Sequence, residues 1–400
     1  MDRNNDFIPL CVPELRGREW AYVKECLDTG WVSSAGRHVD GFESAIAARV
    51  GAKYAVAAVN GTSALHTAML VAGVEPNDEV IVSTLTFIAP ANAIRYAGAF
   101  PVFVDAEPAY LQMDVNKLEH FLRRDCFRNG RGLYNRTTSR RVRAILPVHI
   151  LGHPVDIDPV LCLAREFGLV VIEDASEGLG ANYKERPVGS LGDIACLSFN
   201  GNKLITSGGG GMITTNRGDW AARARYLTTQ AKDDPVEYVH AEIGYNYRLT
   251  NLQAALGLAQ LEQLDEFVLA KRRIASRYSN ELEAVGLIPC LEPPWGRSTF
   301  WMYTVMVDGA RFGVDSRSAL RQLQALGIQT RPLWQPIHLS PPHRDSFRTD
   351  CATAELAYRD GLSLPCSVGL TEEQQQRVIE SLKRMHVAAG HAQISRVAAG

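Results

Sequence analysis

Two side chains carry most of the chemistry this sequence can support: Lys203 and, 29 residues before it, Asp174. Lys203 follows a short apolar run at 195–199 and the polar turn Asn200-Gly201-Asn202. It precedes four consecutive glycines, 208–211, and a second apolar run at 212–215. An ammonium taken out of water loses solvation, so its pKa falls and a nucleophilic amine becomes available. Such an amine can form a Schiff base with a carbonyl compound, and Ser198 could set a hydroxyl beside whatever it holds. A surface lysine on a hairpin turn, with glycines serving turn geometry, fits this stretch equally well.

The segment 169–178 reads as a buried strand that delivers carboxylates at its C-terminal end, where open α/β sheets bind ligands. Strand-end aspartates also serve metals and riboses, so Asp174 gains meaning only from its company. Upstream, Asn60-Gly61-Thr62-Ser63 follows a strand and opens a helix. Free amides, the positive end of the helix dipole and two hydroxyls would suit a phosphate there, although a plain turn with an N-cap has the same composition. Phe87 ends the next strand and could either stack on a flat cofactor or pack in the core. A strand-end carboxylate, a Schiff-base lysine and a helix-terminus phosphate cup together are what pyridoxal phosphate requires. The carboxylate keeps the ring nitrogen protonated, which lets the ring accept electrons.

The elements that must position these groups alternate. Strand-like runs occur at 54–59, 79–83, 101–105, 142–149, 169–174, 195–199 and 212–215, and helical patterns at 63–72, 89–97, 159–167 and 220–226 lie between most of them. That order predicts an α/β domain around a mostly parallel buried sheet. Further helical periodicity covers 17–28, where Trp20, Val23 and Leu27 share a face, and about 39–50. One long helix is expected over 252–279. Beyond it, a strand at 302–307 and helices at 316–325 and 371–383 predict a smaller α+β domain. The expected division is an N-terminal segment, 1–30, packing with the small domain; a large cofactor domain, 31–265; the small domain, 266–387; and a flexible tail, 388–400.

Composition narrows the function. The 400 residues are 46% hydrophobic with a net charge of −2, which gives no global electrostatic reason to bind nucleic acid or membrane. Neither a signal core nor a bilayer-length apolar run is present. Eight cysteines are scattered without C-x-x-C pairs, so reduced thiols, a cytoplasmic location and no metal are expected. Residues 123–143 carry eight arginines and one acid, Asp125. A solvated surface hairpin accounts for them better than a phosphate-attracting flap.

The motifs Asn60-Gly-Thr-Ser-Ala-Leu, Pro147-Val-His-Ile-Leu-Gly-His-Pro, Ile172-Glu-Asp-Ala-Ser-Glu, Ser198-Phe-Asn-Gly-Asn-Lys and Gly244-Tyr-Asn-Tyr-Arg-Leu resemble those of the DegT-type nucleotide-sugar aminotransferases. These are pyridoxal-phosphate enzymes with the aspartate-aminotransferase fold (fold type I), and the resemblance runs from about residue 9 to 385. Asp28-Thr-Gly-Trp-Val-Ser-Ser, Thr228-Thr-Gln-Ala-Lys and the arginine-bearing insertion are most similar to one branch. That branch aminates C4 of nucleotide-linked, UDP-type 4-keto-6-deoxy-N-acetylhexosamines on routes to bacillosamine and legionaminic acid.

The resemblance implies that Lys203 carries the cofactor and that Asp174 partners its ring nitrogen. It makes Thr62, Ser63 and Ser198 phosphate ligands, Phe87 the stacking ring and Gly61 a further cofactor-binding residue. Glu177 falls where the family often has Gln or His, and Asn246 would reach the phosphate of a neighbouring subunit, which implies a homodimer with shared sites. Trp31, Ser33, His149, Arg248, Arg331 and His338, with His153, are candidates for substrate contact. The implied activity is ping-pong transfer of the amino group of L-glutamate to the sugar. Its alternatives are another 4-keto-6-deoxy or 3-keto nucleotide sugar, such as the perosamine type, or a non-enzymatic regulator retaining the fold. Lys203 argues against the related branch in which histidine replaces this lysine and C3 is deoxygenated. A nucleotide-binding oxidoreductase is disfavoured because no G-x-G-x-x-G follows the early strands.

Overall fold

The computed structural model describes residues 7–234 and 236–398, with 389–398 described by backbone alone. Seven strands form the main path of the large sheet: β1 (Tyr54–Ala58), β2 (Glu79–Ser83), β3 (Phe100–Val104), β4 (Arg141–Leu146), β5 (Val170–Asp174), β6 (Ile194–Ser198) and β7 (Gly211–Thr215). Their order is β1-β7-β6-β5-β4-β2-β3. β7 runs antiparallel to β1 and β6, and the remaining pairs are parallel. Val80 and Val82 of β2 belong to one apolar cluster, while Ile81 belongs to a second with Val102, Ile145 and Val171. The sheet therefore separates two buried layers, which explains why its strands read as continuous apolar runs rather than alternating ones.

Each strand seen in the sequence is present, with ends shifted by a residue or a few. The long helix expected over 252–279 is instead two helices, Asn251–Leu261 and Leu264–Leu282. Gln263, at the break, has φ −105° and ψ 2°, and its side chain bonds Glu19 at 2.9 Å. Thr250 and Gln253 close a capping box at the start of the first helix.

The arginine-rich stretch forms a hairpin, Cys126–Asn129 with Gly132–Asn135, whose second strand pairs with β4. Several of its arginines are spent on the fold. Arg141 bonds Asp78 and Glu75, Arg123 bonds Glu119 and Glu166, and the Arg140 guanidinium lies 3.6 Å from the centre of the Phe100 ring.

In the small domain, strands Leu287–Pro289, Tyr303–Val307, Gly361–Leu364 and Arg331–Pro332 form an antiparallel sheet. Residues 8–12 dock on it: Ile8 bridges Ile328, Leu10 O accepts from Cys366 N, and Val12 N donates to Ser367 Oγ. The helix Glu19–Thr29, by contrast, packs on Asn251–Leu261. Where a flexible tail is expected from 388, the backbone continues the helix Glu372–Ala398; residues 399 and 400 lie outside the described ones. Among the described residues, no helix is long and apolar enough to cross a membrane.

One buried carboxylate ties the sheet to the loop behind it. Glu173, fully buried in β5, accepts the amides of Gly189 (2.5 Å), Leu191 (2.9 Å) and Gly192 (3.0 Å), and also faces His149 Nε2 at 3.1 Å. Burial raises its pKa, but His149 and the amides outweigh burial and hold it below the usual carboxylate value. Glu173→Ala should cost on the order of 3 kcal/mol in urea unfolding, because it strands several buried donors. Since the folded pKa lies below the unfolded one, Glu173's contribution is complete above the ordinary glutamate pKa of about 4.3 and is lost as pH falls towards the folded value. The gap between wild type and variant should therefore shrink on acidification; a pH-independent gap would contradict this assignment.

Candidate active site

The C-terminal ends of β5 and β6 meet the start of the helix Gly61–Val71 around a cavity of ≈ 370 Å³. Asp174, the last residue of β5, is buried and accepts the Ser176 amide at 3.0 Å. Its backbone is locked on both sides, from Asp174 N to Pro147 O and from His149 N to Asp174 O. Burial pushes the carboxyl pKa up, with hydrogen bonds from Ser176 and the charge of Lys203 opposing it.

β6 ends at Ser198, and the turn that follows places Lys203 in the cavity wall, with Lys203 N bonded to Asn200 O at 3.0 Å. Lys203 Nζ donates to Glu177 Oε1 at 3.2 Å and lies 4.1 Å from the centre of the Trp301 ring. Trp301 in turn donates its indole N–H to Asn202 O at 2.7 Å, so one side chain braces both the lysine and its loop. Glu177 Oε2 accepts the Leu151 amide at 2.8 Å, and burial raises its pKa against the pull of Lys203.

At the helix start, Asn60 caps the first turn by accepting Ser63 N at 2.8 Å, while Gly61 and Thr62 line the cavity. A Cβ on Gly61 would sit 2.8 Å from Ser198 Cβ, so only glycine lets this helix approach β6 so closely. Phe87 also lines the cavity with its ring half exposed, which favours stacking over core packing.

These donors suit pyridoxal phosphate. A buried carboxylate can hold a ring proton, a lysine amine can hold an aldehyde carbon, and hydroxyls at a helix start can hold a phosphate. Lys203, Asp174, Glu177, Gly61, Thr62, Ser198 and Phe87 are brought together as the sequence suggested. Ser63 is not: its amide is used by the Asn60 cap and it does not line the cavity.

Among the described residues, the substrate candidates also lie outside the cavity wall. His149 is buried; Val155 N donates to its Nδ1 at 3.0 Å, leaving Nε2–H to donate to Glu173. His153 is buried against Phe300, and burial lowers its pKa to about 4. His338 joins Thr84 (2.7 Å) to Glu355 (3.1 Å) and so ties the small domain to the end of β2. Arg331 lies beside Phe7 and Leu320 in a separate pocket of the small domain. Trp31 and Ser33 are exposed, and their carbonyls accept hydrogen bonds from Asn251. Arg248 is half-buried, and Asn246 is exposed. None of the hairpin arginines reaches the cavity.

Trp301 and Trp334 line the cavity and were missed. Each is a large aromatic at an irregular junction in the second domain, a signal that identifies neither. The Pro147–Pro154 motif earns its place through backbone geometry. Leu151 has φ 61° and Gly152 φ +87°, and a Cβ on Gly152 would come within 2.3 Å of Thr299 Oγ1. This turn presents the Leu151 amide to Glu177 and anchors residues 298–302, including Trp301.

Comparison with known proteins agrees with this geometry. The profile described as "DegT/DnrJ/EryC1/StrS aminotransferase family" matches residues 13–383. The chain is 44% identical over 382 residues to a GDP-perosamine synthase of Caulobacter vibrioides, spanning 95% of this chain and 98% of that one. It is 38% identical to a GDP-perosamine synthase of Escherichia coli O157:H7, spanning 95% and 99%. The crystal structure of the aminotransferase TlmJ from Streptoalloteichus hindustanus superposes with a TM-score of 0.86 at 28% identity, covering 95% of this chain and 99% of that one.

Lys203→Ala should leave the fold intact by circular dichroism and lower turnover by about a thousandfold or more. Borohydride reduction of the wild-type holoenzyme followed by peptide mapping should place the cofactor label on Lys203. A label on Lys232 or Lys271 would move the assignment elsewhere.

Proposed function

Since the chain belongs to the DegT/DnrJ/EryC1/StrS aminotransferase family, whose members depend on pyridoxal 5′-phosphate, we propose that it transfers the amino group of L-glutamate to C4 of a GDP-linked 4-keto-6-deoxy sugar, as in perosamine formation. The observation carrying the choice of sugar is the 44% identity, over nearly the full length of both chains, to a GDP-perosamine synthase. The UDP-linked N-acetylhexosamine suggested by the motifs around Asp28 and Thr228 is the competing reading.

When bound, the cofactor supplies an electron sink for the bond broken at the substrate carbon. The chain supplies the rest. Thr62 and Ser198, with the start of the helix Gly61–Val71, would hold its phosphate; Phe87 would cover one ring face; Asp174 would keep the ring nitrogen protonated. Lys203 would hold the aldehyde carbon and, once an incoming amine displaces it, use its free amine as the base that takes and returns a proton at the substrate carbon. Glu177 keeps that amine in place and, with its pKa raised by burial, can carry a proton beside it. Trp301 and Trp334 wall the cavity from the small-domain side. Donor and sugar use the same cavity in turn.

Incubation with L-glutamate and matched GDP- and UDP-linked 4-keto sugars, read by mass spectrometry, tests the assignment. A preference of about a hundredfold or more in kcat/KM for the GDP-linked 4-keto-6-deoxy sugar is expected. Preference for the UDP-linked N-acetyl sugar would restore the competing reading.

We further propose a homodimer in which Asn246 serves the neighbouring subunit's site. Asn246 is exposed and absent from its own cavity. The same segment exposes Val236, Tyr238, Val239 and Ile243, an apolar stretch suited to burial against a second copy. Mixing Lys203→Ala with Asn246→Asp subunits should restore activity towards one competent site per heterodimer, because one of the two shared sites then carries both lesions. Lack of recovery in heterodimers that demonstrably form, with Asn246→Asp impaired alone, would mean each site lies within one chain.

A further inference from the structure

Lys271, in the middle of the helix Leu264–Leu282, is fully buried. Its Nζ donates to Trp301 O at 2.8 Å and lies 3.4 Å from Cys11 Sγ and 3.6 Å from Cys366 Sγ. A buried ammonium needs a compensating negative charge. The groups facing this one are a carbonyl and two thiols, and a thiolate at either sulfur would supply that charge.

The two thiols differ in environment. Cys366 is fully buried, whereas Cys11 is half-buried in the N-terminal segment. The neighbouring Cys366 thiol and the charges of Lys271 and Lys203 act against burial and lower the Cys11 pKa to about 6. Cys366 is pushed the other way, by its neighbour Cys11 and by burial. Burial holds Cys126, Cys290 and Cys351 at about 12, and it also raises Cys26 and Cys196. Cys162 is exposed.

The backbone sets the pair together as well. Cys366 N donates to Leu10 O at 2.8 Å, so the residue before Cys11 is tied to Cys366, and both sulfurs lie within 3.6 Å of the same Lys271 Nζ. Cys11 Sγ also lies 3.6 Å from Asn202 O, the carbonyl that accepts the Trp301 indole one residue before Lys203.

We propose that Cys11 is a reaction site for hydroperoxides and that Cys366 is its resolving partner. The Cys11 thiolate attacks the terminal peroxide oxygen, the O–O bond breaks, and the leaving hydroxide (an alkoxide from an organic hydroperoxide) takes a proton to become water (or the alcohol). Sulfur is oxidised by two electrons to a sulfenic acid and the peroxide is reduced. Cys366 sulfur then attacks Cys11 sulfur, the S–O bond breaks, and the departing hydroxide leaves as water with the Cys366 proton. The net change is two thiols and one hydroperoxide to one disulfide and two waters when the peroxide is hydrogen peroxide. Lys271 holds the attacking thiolate, and the bridge closes between the chain's first segment and the small domain, beside the loop of the catalytic lysine.

The test treats the pyridoxal-phosphate-loaded enzyme with limiting hydrogen peroxide, blocks remaining thiols with N-ethylmaleimide and maps peptides by mass spectrometry. The expected product is a peptide pair joined through Cys11 and Cys366, reversed by dithiothreitol, with Cys162 alkylated. In Cys366→Ser, dimedone should trap a sulfenic acid at Cys11. For the reduced wild type, the rate of Cys11 alkylation against pH should have its midpoint at about 6. Lys271→Met should raise that midpoint by about one unit or more, a tenfold loss of thiolate at pH values below it. Recovery of Cys11 and Cys366 both alkylated after peroxide has oxidised Cys162, or a disulfide joining any other pair, would overturn the proposal. Because the wild-type chain carries the central measurement, the outcome does not depend on whether a variant folds.

Discussion

The parallel register between β5 and β6, which sets Cys196 opposite Asp174 and Glu173 opposite Ala195, fixes the chemistry of the site. Successive side chains on a strand point to opposite faces. Asp174 therefore enters the cavity, while Glu173 turns to the other face and binds the loop 189–192 through three amides. A slip of one residue would exchange them. A carboxylate would then face the buried loop without its donors, and the cavity would lose its anion. Two adjacent acids thus serve opposite faces, one binding the loop 189–192 and one lining the cavity, and the same register places Ser198 beside Gly61 at the helix start.

Electrostatics at the cavity follows from that arrangement. Asp174 and Glu177 are both buried, and Lys203 is the cation that faces them. Two buried carboxylates around one ammonium favour binding of a further cationic group, which a protonated pyridine ring would provide. The aromatic face of Trp301 steadies the same ammonium without adding another negative charge that would deepen its ion pair. Lys203 therefore has partners it can leave, which the role proposed for it, alternating between holding a carbonyl carbon and moving a proton, would require.

Much of this was legible in the sequence because it rests on local rules. Apolar runs bounded by turns gave the strands, and Asn60-Gly61 at a strand-to-helix junction gave a helix start where only glycine fits. Asp174 and Lys203 were readable because strand ends and the turns that follow them form the ligand edge of such sheets. What could not be read depends on which faces meet. His149 looks like a substrate ligand by position, but its ring turns behind β5 to Glu173 and Val155. Ser63 gives its amide to a cap made by Asn60 and stays out of the cavity wall. Trp301 and Trp334 come from a domain whose docking has no periodic signature, and the arginines of 123–143 found their partners in acids such as Asp78 and Glu166, distant in sequence.

The second domain is coupled to Lys203 through a short chain of contacts rather than through a broad surface of equal importance. Lys271 Nζ bonds the Trp301 carbonyl, the Trp301 indole bonds Asn202 O, and its ring lies against Lys203. Gly152 and Leu151, strained into left-handed geometry, pin the same segment from the large-domain side through Thr299, Ser298 and Met302. Trp301 is therefore held from both directions. A displacement of the small domain cannot leave the lysine loop unaffected unless one of these bonds breaks, each worth about 1 kcal/mol when neutral and more when it involves the Lys271 ammonium. The N-terminal segment closes the same circuit, since Cys11 faces Lys271 at one side and Asn202 at the other. Cys11 consequently belongs to the support of the cavity, although it stands nearly two hundred positions before Lys203.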